Sequence, residues 1–339
     1  MKRIIHIAAV LLICVAFISC EREEDSRPVQ SSGKPIRFTA ECEWPQISKA
    51  AIDDIADFQE AGFQVWGYWS QDPNDDSNYY EDEKDVFGTY GTAVTYASSS
   101  WVCEEENEWY RGYYNFAAVA PEAAVYSPES DNAVLTCSHT AAFLPGSEGN
   151  GTKYINTLSF ETSDQGFDLA QNQIDLMYAF HNEDNSTEAS QTVNLKFNHT
   201  FAKIAVKISS NLTPSPHIDK VRVYDIPSTV YGKLTITEVE QGENTVVTTN
   251  IAEILRTAYF STIDNPYAEA DYGGYVSTTP VPVISNLLVF PQTLTSNAMR
   301  ICVDYRIRGE AAPKQAVAEV KNVIWEPGNS YVYSLTIDN

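Results

Sequence analysis

Basic residues are scarce in this chain: 22 Lys and Arg face 46 Asp and Glu across 339 residues, a formal net charge of −24. Such a surface repels phosphate backbones, and no basic stripe offsets it, so nucleic acid is excluded as a partner. The same sign argues against adsorption to anionic lipid through charge. Cysteine is scarce too, with six residues and no C-x-x-C spacing. That removes zinc ribbons and dithiol redox pairs. His139, His181, His199 and His217 are scattered without metal-ligand spacing, and each reads as a surface or turn residue. Phosphate-binding loops, dinucleotide glycine fingerprints, H-E-x-x-H and G-x-S-x-G are missing. One S-x-x-K match, at residues 31–34, lies in a polar stretch with nothing to hold the pair in catalytic geometry. The expectation is a protein that is not an enzyme and takes no cofactor.

The longest apolar run is residues 4–18, broken mainly by His6. It follows Lys2 and Arg3 and precedes Ser19-Cys20. That is too short for a transmembrane helix and has the flanks of a signal peptide. Residues 17–20 match a lipobox, with Phe17 bulkier than the expected Leu, so Cys20 is the expected lipidation site. Several acyl chains give stable anchoring where one does not. Acids crowd the next five positions, which fits both a solvated tether and a surface-export tag. The expected location is the outer membrane, facing outward. With Cys14 lost and Cys20 acylated, Cys42, Cys103, Cys137 and Cys302 remain. Three pairings are open to them, and buried free thiols are the default.

What the chain has in abundance is aromatic: 20 Tyr, 14 Phe and 6 Trp. Aromatic and β-branched residues favour strands. Ile36, Phe38 and Ala40 alternate with Arg37 and Thr39; residues 63–69 are apolar on both faces. Further strands are expected at 93–96, 113–119, 154–160, 193–197, 204–208, 220–224, 233–237, 286–290, 301–308 and 330–337. Residues 198–200 read as a hairpin turn, 250–258 as the one helix, 50–57 as a turn or loop. The polar, acidic stretch 181–190 marks a domain boundary. The expected architecture is all-β: a signal peptide (1–19), an acidic tether (20–34) and two antiparallel β-sandwich domains (35–187 and 188–339).

Two further groups invite chemistry. Asp72, Asn74, Asp76 and Glu83 fall at positions 1, 3, 5 and 12 of an EF-hand-like loop, but Ser77 stands where the turn needs Gly. A solvated acidic loop is the reading taken, with no metal. The aromatics around Trp66 and Trp69 suit a sandwich core, with stacking on sugar rings as the alternative.

Four stretches carry a family likeness: 36–40 with 48–50; 63–69 through 109–118; 195–204; and 288–292 with 325–333. In that order they resemble the fimbrillin-like (Mfa-like) family of type V pilus subunits. The resemblance implies two transthyretin-like sandwiches and assembly by strand exchange. A lipidated precursor loses its first strand to a protease, and the groove accepts a strand from the next subunit. Carried across, Ile36, Phe38 and Ala40 would plug the groove and Lys49-Ala50 would be the cut. Polymerising members usually show Arg where Lys49 stands. Tyr331, Tyr333, Leu335 and Ile337 would form a last or donated strand, and the role in a tip, anchor or stalk stays open. Implied partners are other pilus subunits, outer-membrane lipid through Cys20, and a host or bacterial surface ligand. The alternative is a lipid-anchored glycan-binding module, with Trp66 and Trp69 as contacts.

Overall fold

The computed structural model describes residues 31–42, 54–71, 83–124, 135–144, 153–185, 187, 192–242, 244–255, 258–295 and 298–338. The all-β class holds, and among the described residues two short α-helices interrupt the strands. The largest sheet runs in the order Arg37–Cys42, Thr192–His199, Met177–Asp184, Tyr113–Ala120, Phe63–Ser70, Thr92–Ala97, Ser100–Cys103, with Glu83–Asp85 joined to Phe63–Ser70. Its central strands are apolar on both faces because both faces are covered. Phe63, Val65, Phe116 and Ala118 enter one core with Phe38, Leu195 and Phe197. Trp66, Ala117 and Val119 enter a second core with Leu158, Phe160, Leu234 and Ile236. That second core lies against the sheet Asn244–Thr249, Lys233–Gln241, Lys153–Thr162, Leu135–Leu144.

A third core is built between two further sheets. One orders Val281–Val289, Ala202–Ser210, Ser330–Ile337; the other orders Ala268–Tyr275, His217–Tyr224, Met299–Arg306, Lys314–Val320. Alternating Ile204, Val206 and Ile208 face Ile301, Val303 and Val221 in it, as period-two patterning requires.

Several expectations need correction. Thr192–His199, which follows the expected boundary at 187/188, pairs with both Arg37–Cys42 and Met177–Asp184, which precede it. The excursion Lys233–Gln241 leaves the C-terminal half and pairs along Lys153–Thr162, from Lys153↔Gln241 to Glu161↔Lys233. Residues 198–200 do not close a hairpin, since the strands on either side enter different sheets. The polar stretch beginning at His181 is in part a strand, Met177–Asp184, in the middle of the largest sheet. Its Asn182 is accommodated by hydrogen bonds to Asn156 and Glu240 of the facing sheet, and His181 pairs with Glu183 along the strand. Residues 31–34 of the expected tether form a strand, Ser31–Pro35, paired with Glu108–Tyr110.

Residues 55–61 form a helix where a turn or loop was expected. Asp54 caps it, its Oδ1 accepting from the Ala56 and Asp57 amides at 2.8 and 3.0 Å. Its Phe58 is fully buried against Phe197 and Trp101, with ring centroids at 5.0 and 5.4 Å. The expected helix after Asn250 is present as Ile251–Leu255.

Candidate functional site: the first-strand groove

The first strand is two short pieces bent at Ile36. Ser31–Pro35 lies antiparallel to Glu108–Tyr110. The Ile36 amide then donates to Asn107 O at 2.7 Å. Arg37–Cys42 runs parallel to Thr192–His199, from Thr192↔Arg37 to Phe197↔Cys42. Among the described residues, those that pair with this segment's backbone ladder are distant in sequence.

Alternation decides which side chains enter the groove. Ile36 and Phe38 are buried, at 5% and 4% exposure, and Ala40 is half-buried on the same core. Arg37 and Thr39 face solvent, where Thr39 Oγ1 donates to Asn194 Oδ1 at 3.3 Å. The Phe38 ring sits among Phe63, Phe87 and Phe116, with centroids 6.4, 6.0 and 5.9 Å away. The pairs with Phe63 and Phe116 are edge-to-face, and such pairs add about 0.5–1.5 kcal/mol each beyond burial. Part of the aromatic excess seen in the sequence thus lines the pocket of this strand's Phe38. Phe87, in the short segment after Glu83–Asp85, had no periodic signal of its own.

The last strand is held in the chain's own sheet. Ser330–Ile337 runs parallel to Ala202–Ser210, from Lys203↔Ser330 to Ser210↔Ile337. Ile337 is buried, and Tyr331, Tyr333 and Leu335 are half-buried. Trp325 Nε1 donates to the Tyr333 hydroxyl at 2.7 Å, and the Glu326 amide donates to that of Tyr331 at 2.9 Å.

Trp66 and Trp69 do not present sugar-stacking faces. They are 3% and 4% exposed and belong to the two opposite cores of the largest sheet. Trp69 Nε1 donates to Arg111 O at 3.3 Å, and its ring packs against Tyr110 at 5.9 Å. Gly112 makes this fit possible: its φ is +145°, and a Cβ there would lie 2.4 Å from Ser70 O and 2.6 Å from Trp69 Nε1. Cys20, Lys49, Ala50, Asp72, Asn74 and Asp76 lie outside the described residues; Glu83 opens the strand Glu83–Asp85 opposite Ser70. Cys103, Cys137 and Cys302 are free thiols.

Between the two sheets of the second core runs a polar chain. His139 Nε2 meets Asn156 Oδ1 at 3.0 Å; Asn156 Nδ2 donates to Asn182 Oδ1 at 2.7 Å; Asn182 Nδ2 donates to Glu240 Oε2 at 2.7 Å and reaches Glu238 Oε1 at 3.4 Å. Burial, and then the neighbouring Glu240 charge, push the Glu238 carboxyl up to about 7, with the Asn182 hydrogen bond opposing. Burial holds the His139 imidazole down to about 4.

No curated protein matches the sequence. Solved structures matched by the chain include a proposed cell adhesion protein from Bacteroides uniformis, 14% identical, covering 90% of this chain and 94% of that one at a TM-score of 0.38. Another, from Bacteroides ovatus, is 15% identical, covering 90% and 93% at 0.39. A fimbrial protein from Bacteroides ovatus is 11% identical, covering 91% and 50% at 0.32. The family model described as fimbrillin-like matches residues 56–339, which is most of the sequence. The chain belongs to the fimbrillin-like family.

Proposed function

We propose that this protein is a cell-surface pilus subunit whose segment 31–42 is a placeholder for a strand from a neighbouring subunit. The precursor is tethered to the outer membrane through acylated Cys20. Cutting between Lys49 and Ala50 frees the placeholder, and a strand of the next subunit enters the vacated groove. The work done is mechanical and adhesive, with no catalytic step.

One observation carries this reading: Phe38 fills an aromatic socket from a strand whose ladder partners are all remote in sequence. Any extended segment with an apolar residue at alternate positions meets the same backbone donors and acceptors. That is the physics of β-augmentation, in which the ladder supplies affinity and the pockets supply choice. The matched family region begins at residue 56, after the segment 31–42.

Mass spectrometry of the N-terminus on intact cells tests the proposal. The expected result is a surface fraction starting at Ala50. A population starting only at acylated Cys20 would overturn strand release while leaving the tether in place.

A further inference from the structure

Two sulfurs and an imidazole nitrogen converge where the first strand ends. Cys42 Sγ lies 3.5 Å from Met177 Sδ and 3.6 Å from His199 Nε2. Three adjacent strands deliver them: Cys42 is opposite Phe197, two residues before His199, and His199 is opposite Met177. Met177 is fully buried, His199 is 7% exposed and Cys42 is half-buried. Behind the imidazole, His199 Nδ1 meets Asp175 Oδ1 at 2.8 Å. Asp175 is 1% exposed, and its Oδ2 has no hydrogen-bond partner among the described residues.

A buried carboxylate with an unsatisfied oxygen is costly unless a positive charge compensates it. A metal on His199 Nε2 would supply that charge through the ring. Donation from Nδ1 to a buried carboxylate is the usual support of a metal-bound imidazole, fixing its tautomer and raising its basicity. The donor set chooses the metal. Thiolate and thioether are soft and favour Cu(I), while imidazole accepts it as well. Zinc takes Cys, His and carboxylate but not a thioether, and calcium and magnesium want oxygen. Three donors at roughly 2.0–2.3 Å from one ion in a trigonal plane stand roughly 3.5–4 Å apart, which matches the two separations above.

We infer that Cys42, Met177 and His199 form a Cu(I)-binding site, with Asp175 orienting the histidine. Binding replaces the Cys42 thiol proton, which passes to solvent, by a sulfur–copper bond. Copper stays Cu(I), so no oxidant or reductant is needed. The inference stands apart from strand release, but copper would staple the first strand to its two neighbours. The uncut chain is therefore the material to test.

The experiment is anaerobic titration of the uncut mature chain with Cu(I) against a coloured bidentate chelator. The wild type should take one equivalent from the chelator. M177L keeps volume and loses the thioether, and should bind at least tenfold more weakly. C42S should lose the site, D175N should weaken it by about 10–100-fold, and C103S should bind as the wild type does. X-ray absorption of the loaded protein should show two sulfurs and one nitrogen around copper. Uptake unchanged in both C42S and M177L, or lost in C103S instead, would overturn the site.

Discussion

Truncating Phe38 to alanine is the most direct perturbation of the first-strand groove. Its ring is 4% exposed and meets three other aromatic rings. Removing a buried Phe costs about 3–5 kcal/mol in lost transfer energy and residual cavity. The surrounding rings belong to Phe63–Ser70, Tyr113–Ala120 and the segment after Glu83–Asp85, which are fixed by other pairings. The socket therefore cannot collapse, and the edge-to-face contacts go with the ring. We place the loss at about 4–5 kcal/mol, a large share of the ~5–15 kcal/mol that folded proteins hold in total. Trp69, Trp101 and Trp109 all line or adjoin this core, so their fluorescence reports its unfolding. With a urea slope of about 3 kcal/mol per molar, F38A should lower the midpoint by more than about 1 M. Thr39→Ala, one position on but facing solvent, should change stability by less than about 0.5 kcal/mol. A loss below about 1 kcal/mol for F38A would refute the claim that this strand completes the core.

The interior carboxyl of Glu238 should make stability depend on pH. Its folded value, about 7, lies above the unfolded one, so the folded state binds the extra proton and stability falls as pH rises from about 4.5 to 7. Solvent reaches part of this group, so we discount the full effect to about 1–2 kcal/mol. Glu238→Gln should remove the dependence, and urea midpoints at pH 5 and pH 8 check it. His139 acts with opposite sign: its folded value is depressed to about 4, so its contribution is lost as pH falls from about 6.5 to 4. Gly112→Ala should cost more than about 2 kcal/mol, because the added carbon meets backbone and indole at under 3 Å. Thermal unfolding measures that loss.

Strand positions were largely legible because alternation records burial directly. Residues 113–119 and 330–337 were placed within a residue of the observed Tyr113–Ala120 and Ser330–Ile337. Alternation does not say which sheet a strand enters, and this is why residues 198–200 read as a hairpin. The two connecting residues instead carry the chain from one sheet to another. Met177–Asp184 was hidden because His181, Asn182 and Glu183 look solvated. Asn182 is interior because Asn156 and Glu240 pair with it, and both are remote in sequence. The groove itself was half legible. Ile36 and Phe38 announced an inward face, but nothing in the order of residues showed that Phe87 would complete the socket. The cluster of Cys42, Met177 and His199 was invisible for the same reason, as three strands are needed to assemble it.

The two consecutive strands Thr192–His199 and Ala202–Ser210 each have a parallel neighbour, Arg37–Cys42 for the first and Ser330–Ile337 for the second. Consider tension that enters at the start of Arg37–Cys42 and leaves at the end of Ser330–Ile337. It crosses the first ladder into Thr192–His199, runs through the covalent chain into Ala202–Ser210, and crosses the second ladder out. In a parallel pair pulled from opposite ends, the strands slide along each other, so all rungs resist together rather than opening one at a time. The molecule is thus wired as a tensile link, with two shear joints in series and nineteen residues of continuous backbone (192–210) between them.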